Sequence, residues 1–440
     1  MIALREIAAV ALSAAPEAAR PGGPTLAGVP IEFFLFGLTL LGVALFHAHT
    51  LKVALSGLVA ISVFKIAFAG FKAGPGVMGF VSHLGHEWVT LANLFGLLMG
   101  FALLSRHFEK SHVPVILPKY LPDDWKGAFV MLCMVFVLSS FLDNIAAALI
   151  GGAMAHQLFR AKVHIGYLAA IVAASNGGGA GSVVGDTTTT MMWIDKVSPL
   201  SVLEAFVGSG VALLIFGIPA AIRQQRYSPI VKDPEGSPQV DWARVGIVVS
   251  VLAAAIVINV AVNVRYAEYS DLFPWIGAAV WTALLLTAAL RRPDWGLLRE
   301  AAPGSFFLLS LVLAASMMPV EKLPAASWQT TFGLGFLSAV FDNIPLTKLA
   351  LQQGGYDWGF LAYAVGFGGS MIWFGSSAGV AITTLYPEAR SVGRWLKEGW
   401  YVPVAYVAGF AALLLTLGWH PTPKGTRPPP APVAIAAPVR

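Results

Sequence analysis

Charge is what this chain has least of. Of 440 residues, 28 are Lys or Arg and 23 are Asp or Glu, so charged side chains make up 12%, against about 25% in soluble domains. So few charges cannot cover a water-facing surface, which excludes a soluble enzyme. Cysteine is nearly absent as well. Cys133 alone rules out a disulfide framework and any cysteine-based metal site. No Gly-Lys-Ser/Thr follows the glycine run at 177–181, so it is not a phosphate loop. Val183 stands where an intramembrane aspartyl protease motif ending in Val184-Gly185-Asp186 needs glycine, which argues against a membrane enzyme.

What remains is hydrophobic. Apolar residues make up 57% without counting the 45 Gly, and the mean hydropathy is +0.73, values of a polytopic membrane protein. Stretches of about 17–25 apolar residues, long enough to cross a bilayer, lie near 30–48, 51–70, 88–105, 201–220, 245–264, 273–290, 304–320 and 398–419. Four other zones are interrupted. Those at 127–158 and 328–352 carry an Asp-Asn pair between two short apolar limbs, the pattern of a re-entrant hairpin with a polar tip. Those at 165–195 and 359–386 are apolar at the ends and rich in Gly, Ser and Thr between, the pattern of a broken helix. The expected fold is all-α, with about ten crossings plus two re-entrant hairpins, two of the crossings being broken helices.

Threading the chain with residue 1 outside puts 17 of the 28 basic residues on the cytoplasmic side. Apart from the two tails, only Lys72, Lys196, Arg265 and Lys322 fall outside, and this asymmetry favours the chosen orientation. The net charge of +5 is therefore loop asymmetry and no nucleic-acid footprint. Residues 1–29 form an Ala/Pro-rich segment expected to be flexible, and 420–440 a Pro-rich tail expected to be disordered.

The two halves share a plan. Asp143-Asn144-Ile145 aligns with Asp342-Asn343-Ile344 at an offset of 199, and Gly178-Gly179 with Gly368-Gly369 at an offset of 190. In the same register Gly185-Asp186 matches Gly375-Ser376. Each half, 30–220 and 244–419 around a cytoplasmic linker at 221–243, reads span, span, span, hairpin, broken helix, span. Five crossings is odd, so the second half is inverted. That is a secondary transporter's architecture, with its site near the midplane.

An Asp at a helix centre costs roughly 2.5–3.5 kcal/mol on insertion scales, so Asp143, Asp186 and Asp342 call for a use. Carboxylates there can hold a small cation or carry a proton. Asn144, Asn343, Ser175, Asn176, Thr187, Thr188, Ser376 and Ser377 crowd the same segments and supply the neutral oxygens that a hard cation such as Na⁺ needs. Thr189, Thr190, Thr383 and Thr384 share that neighbourhood, and for every Ser and Thr named here bonding back to its own helix is the competing role. Gly178, Gly179, Gly185, Gly368, Gly369 and Gly375 permit close backbone approach or simply close packing. Lys348, six residues beyond Asp342, reads either as a counter-ion near the tip or as a snorkelling cation; Lys65 reads as snorkelling.

At these residues the chain resembles the ion transporter superfamily of citrate/dicarboxylate carriers and ArsB-type permeases, and most closely the NhaD-type sodium/proton antiporters. Three stretches carry the resemblance: 176–193 (NGGGAGSVVGDTTTTMMW), 342–346 (DNIPL) and 366–380 (GFGGSMIWFGSSAGV). It covers about residues 30–419. It implies Na⁺ or Li⁺ efflux against proton entry by an elevator-like movement, in a homodimer embedded in the lipid bilayer of a bacterial inner membrane. Both termini are expected outside, with no cofactor beyond the transported ions. Ala146 and Ala147 stand where the family tends to have Thr, and Lys348 where a small neutral residue is expected. The alternative is a carrier of a small anion, such as a dicarboxylate, citrate or arsenite, coupled to Na⁺ or H⁺.

Overall fold

The computed structural model describes residues 23–46, 49–116, 120–231, 239–266 and 269–422. Residues 1–22 of the flexible segment, 232–238 of the linker and 423–440 of the Pro-rich tail lie outside them. Apart from a two-residue ribbon pairing Thr25–Leu26 with Val29–Pro30, the described chain is helical. Three helices open it: α1 (Ile31–Leu45), α2 (Thr50–Phe64, extended by a wider turn over Lys65–Ala69) and α3 (Gly76–Glu109). At 34 residues, α3 reaches a further three turns before the apolar window expected at 88–105. After a short turn, α4 (Val113–Ile116), come the elements that build the centre.

The first interrupted zone is a helical hairpin, α5 (Trp125–Ser139) and α6 (Asn144–Leu158). At 1.5 Å per residue each limb is about 22 Å long, less than the roughly 30 Å of a bilayer core. The second is α7 (Ile165–Ala180), a break, and α8 (Thr187–Ile194). Then follow α9 (Pro199–Leu203) and α10 (Ala205–Tyr227). The chain continues through α11 (Trp242–Arg265), α12 (Trp275–Thr287) and α13 (Leu297–Ser316). A second hairpin, α14 (Trp328–Ser338) with α15 (Asn343–Gln353), has limbs of about 16 Å. A second broken pair, α16 (Trp358–Gly368) with α17 (Ser377–Leu385), precedes α18 (Val392–Glu398) and α19 (Tyr401–Thr416), which are bent 63° from each other.

Five of these helices are long and apolar enough to cross a membrane, or six if the bent pair is one span. The side chains on the outside agree. Leu38, Val59, Phe68, Met78, Val257, Leu286 and Leu415 are all more than half exposed, a surface that belongs against lipid. Charged pairs sit at the ends: Lys110–Asp294, Arg291–Asp241 and Arg223–Glu398 at one, Lys196–Asp271 at the other. The chain is a multi-pass membrane protein.

Helix α3 packs against α12 and α13, and α2 against α1 and α13; α11 packs against α12. The rest gathers around α7 and α16, whose every residue is buried. Largely apolar and buried on every face, these two helices form the core of the bundle. Helix α5 packs on α7 and α14 on α16, while α10 and α19 pack on each other. Across the centre α6 meets α17, and α15 meets α8.

Where α19 ends, His420 folds back between two carboxylates. Its Nδ1 lies 3.2 Å from Asp357 Oδ2, and its Nε2 lies 3.6 Å from Glu204 Oε1. A hydrogen bond to the Gly418 carbonyl, and then the two carboxylates, raise its pKa above the usual imidazole value. A raised folded-state pKa stabilises fully below the ordinary value near 6.5, and the effect fades as pH rises through the folded value. The thermal stability of detergent-solubilised protein should therefore exceed that of His420→Asn at pH 6 and converge with it as pH rises. A constant gap would show that the imidazole acts without its charge.

Candidate functional site

Four helices begin in the middle of the molecule, and their first residues are the ones singled out by sequence. Asp143 is the N-cap of α6, Asp342 of α15, Asp186 of α8 and Ser376 of α17. Short polar side chains start helices because they meet N–H groups that have no partner within the helix. Asp186 Oδ1 accepts from the Thr188 N–H at 3.3 Å, Asp342 Oδ1 from the Ile344 N–H at 3.0 Å, and Ser376 Oγ from the Gly379 N–H at 3.3 Å. Asp143 makes no such close bond, its carboxylate instead facing the N–H groups of Ile145, Ala146 and Asn144 more loosely.

Asp186 is the centre. It is 2% exposed, and its carboxylate accepts from the Thr188 hydroxyl at 2.7 Å. Asn144, at the tip of the first hairpin, donates to Oδ1 at 3.4 Å, and Asn343, at the tip of the second, to Oδ2 at 3.5 Å. Asn144 also donates to Asn176 Oδ1 at 3.1 Å. Asn176 in turn donates to Ser370 Oγ and Ser376 Oγ, both at 3.0 Å. Ser377 Oγ lies 3.5 Å from Asp342 Oδ2. One connected network thus joins both hairpin tips to both breaks.

Other expected oxygens are occupied elsewhere. Ser175 donates to the Val172 carbonyl, Thr383 to Val380 and Thr384 to Ala381. Thr189 and Thr190 bond the carbonyls of Ser182, Val183 and Asp186. These hydroxyls stabilise the breaks themselves. The glycines allow the close approach. A Cβ on Gly178 would strike the Phe136 carbonyl of α5, and one on Gly368 the Gly335 carbonyl of α14.

A cavity of about 440 Å³ reaches this network from one end. Asp143, Asp186, Thr187, Thr190 and Ser377 line its deep part, leucines and phenylalanines of α3 and α13 its walls, and Arg106, Glu109 and Glu300 its outer part. Asn144, Asn176 and Asn343 stand behind the carboxylates, each 4% exposed or less.

Lys348 does not pair with the tip. Its Nζ lies 2.7 Å from Glu87 Oε2 on α3, with side chains 8% and 14% exposed. Lys65 does not stretch to solvent either: it is 7% exposed, its Nζ 5.4 Å from the centre of the Phe71 ring. Sequence reasoning missed Glu87, because the apolar window was drawn from residue 88. The signal was there, since His83 and Glu87 are four residues apart and fall on one helix face. It missed Ser370 as well, whose partner is 194 residues away.

No protein-family model matches this chain. It is similar to the sodium/proton antiporter 1 of Arabidopsis thaliana, with 30% identity over 154 residues. The match takes in 33% of this chain and spans 23% of the length of that relative. The similarity is partial, to a transporter of cations and protons.

The glycine contacts make a stability prediction. Gly178→Ala and Gly368→Ala force backbone apart and should each cost about 1–3 kcal/mol, the usual range for overpacking. Gly210→Ala, with nothing within 4 Å, should be neutral or slightly stabilising. Thermal melts in detergent measure all three, and equal midpoints would show that the hairpins sit more loosely on α7 and α16.

Proposed function

We propose that the protein exchanges Na⁺ or Li⁺ for protons across a bacterial inner membrane by alternating access, as an NhaD-type antiporter. The observation that carries this is the carboxylate of Asp186, buried where both hairpin tips meet and open to a cavity on one side only. Four helix N-termini converge there, each equivalent to about half a positive charge. Three carboxylates exceed them by about one negative charge, which suits one monovalent cation or one proton. Asp143, Asp186 and Asp342 carry cation and proton in turn. Asn144, Asn343, Asn176, Thr187, Thr188, Ser376 and Ser377 hold the carboxylates in place or offer oxygen to Na⁺. Ser175, turned to its own helix, supports the backbone instead.

The inverted-repeat reading draws support from matched packing. The pairs α5–α7 and α14–α16, α6–α17 and α15–α8, α2–α13 and α12–α3 exchange under the sequence offsets, while α3–α13 and α10–α19 map onto themselves. Gly178 against Phe136 and Gly368 against Gly335 repeat the same contact at offsets of 190 and 199. Arg106, Glu109 and Glu300 lie toward the expected cytoplasmic face, so the cavity makes this an inward-facing state. A homodimer with both termini outside completes the reading. An anion carrier would hold its substrate on the helix N-termini; the three carboxylates oppose that, and Glu87 holds the Lys348 ammonium that could have assisted it.

In everted vesicles, Na⁺ or Li⁺ should collapse an imposed pH gradient, and Asp186→Asn and Asp143→Asn should abolish the response. Unchanged melting temperatures separate that loss from misfolding. Saturable uptake of labelled citrate or succinate, with no response to cations, would move the function to the anion branch.

A further inference from the structure

The large cavity reaches Asp143 and Asp186 and leaves Asp342 outside its lining. A second cavity, of about 210 Å³, lies at the other end of α3. Its His83 and the first cavity's Arg106 are separated by about 35 Å along that helix. Glu32, Lys65, His83, Ser316 and Glu321 line it. Glu32 is 3% exposed, and its Oε2 is buried without a hydrogen-bond partner among the described residues. A carboxylate oxygen left so costs several kcal/mol unless water or another donor meets it. The cavity that Glu32 lines is polar and roomy enough to hold such water.

A polar track leads inward from there. The Ser316 hydroxyl lies 2.8 Å from His83 Nε2. Glu87 stands one turn further along α3, and its carboxylate holds Lys348 at 2.7 Å. Gln352, one turn beyond Lys348 on α15, donates to the Ser316 carbonyl at 2.8 Å and ties α15 to the same spot. Lys348 is six residues, or about 9 Å of helix, from the Asp342 N-cap.

We infer that this second cavity is a water-filled proton entrance and that His83, Glu87 and Lys348 relay protons from it to Asp342. The inference rests on the exchange reading above. His83 takes a proton from vestibule water at one ring nitrogen and releases one from the other toward Glu87, as a neutral imidazole can. Lys348 hands a proton through water to Asp342 and is reprotonated through Glu87, so no charge stays on the relay. Around His83 stand Glu87 and His86 of α3, Lys348 of α15 and Lys65 at the end of α2. Around Lys65 stand Glu32, Glu321 and Lys72. The Glu87–Lys348 pair closes the gap between α3 and α15 at 2.7 Å, so a hydrated Na⁺ has no opening there, while a proton passes by hopping. Asp342 lies outside the lining of the large cavity, so a proton delivered to it passes no further until the site changes its access, in keeping with alternating access.

The test uses full-length protein in oriented proteoliposomes with two readouts: Na⁺-driven proton movement, and counterflow of labelled Na⁺ against Na⁺ at equal pH, which needs no proton. His83→Gln, and the double variant Glu87→Gln with Lys348→Gln, which leaves no unpaired charge, should slow the first by at least about a hundredfold, the scale of a lost proton-transfer group. Counterflow should stay within about twofold of wild type. Imidazole added on the vestibule side should restore proton movement in His83→Gln. If both readouts hold, or both fall together, the relay is wrong while wild-type exchange keeps the antiporter reading intact. Wild type active in neither assay removes the exchange reading and the relay with it.

Discussion

A carboxylate in the middle of an apolar bundle must be met by donors, and at Asp186 those donors come from three directions. Its own helix supplies the Thr188 N–H and hydroxyl. The two hairpins supply the amides of Asn144 and Asn343. A continuous helix has no free N–H groups to offer, so the central helices have to break. The tips have to arrive there, so each hairpin is a pair of short limbs turning at Asp-Asn. The limbs have to lie flush on α7 and α16, and this is where Gly178 and Gly368 stand against backbone carbonyls. Much of the central architecture follows from satisfying one buried group.

Satisfying it is also what makes the site changeable. The amide contacts to Asp186, at 3.4 and 3.5 Å, are long for hydrogen bonds, whereas the Thr188 hydroxyl at 2.7 Å is tight. A guest that competes for the carboxylate therefore competes with the two hairpins. In the proposed exchange, arrival of a cation or a proton would change what Asn144 and Asn343 are attracted to, which is the differential interaction that any ligand-driven change of state requires. The Glu87–Lys348 pair fixes α15 to α3.

The parts legible in the sequence were those written in local pattern. Asp-Asn between short apolar limbs gave away the hairpins, and Gly-rich centres followed by Asp186 or Ser376 gave away the breaks, because caps and helix breakers act over three or four residues. Less legible were contacts between distant segments. Asn176 could be listed among candidate oxygens, but nothing local told that it bridges Asn144 to Ser370 and Ser376. The serines and threonines could not be sorted into those facing the site and those bonding their own backbone, since both roles use the same residue types in the same helical turn.

Composition and local pattern alone determined that this chain lives in a membrane, that its helices break in four places, and that three aspartates lie at those breaks. Each of these follows from burial cost or backbone hydrogen bonding within a few residues. Tertiary structure decided which aspartate is central, that Lys348 answers to Glu87, and that cavities approach from opposite ends. Those depend on which helices pack together, and a charge 261 residues from its partner leaves no mark in the sequence around either one.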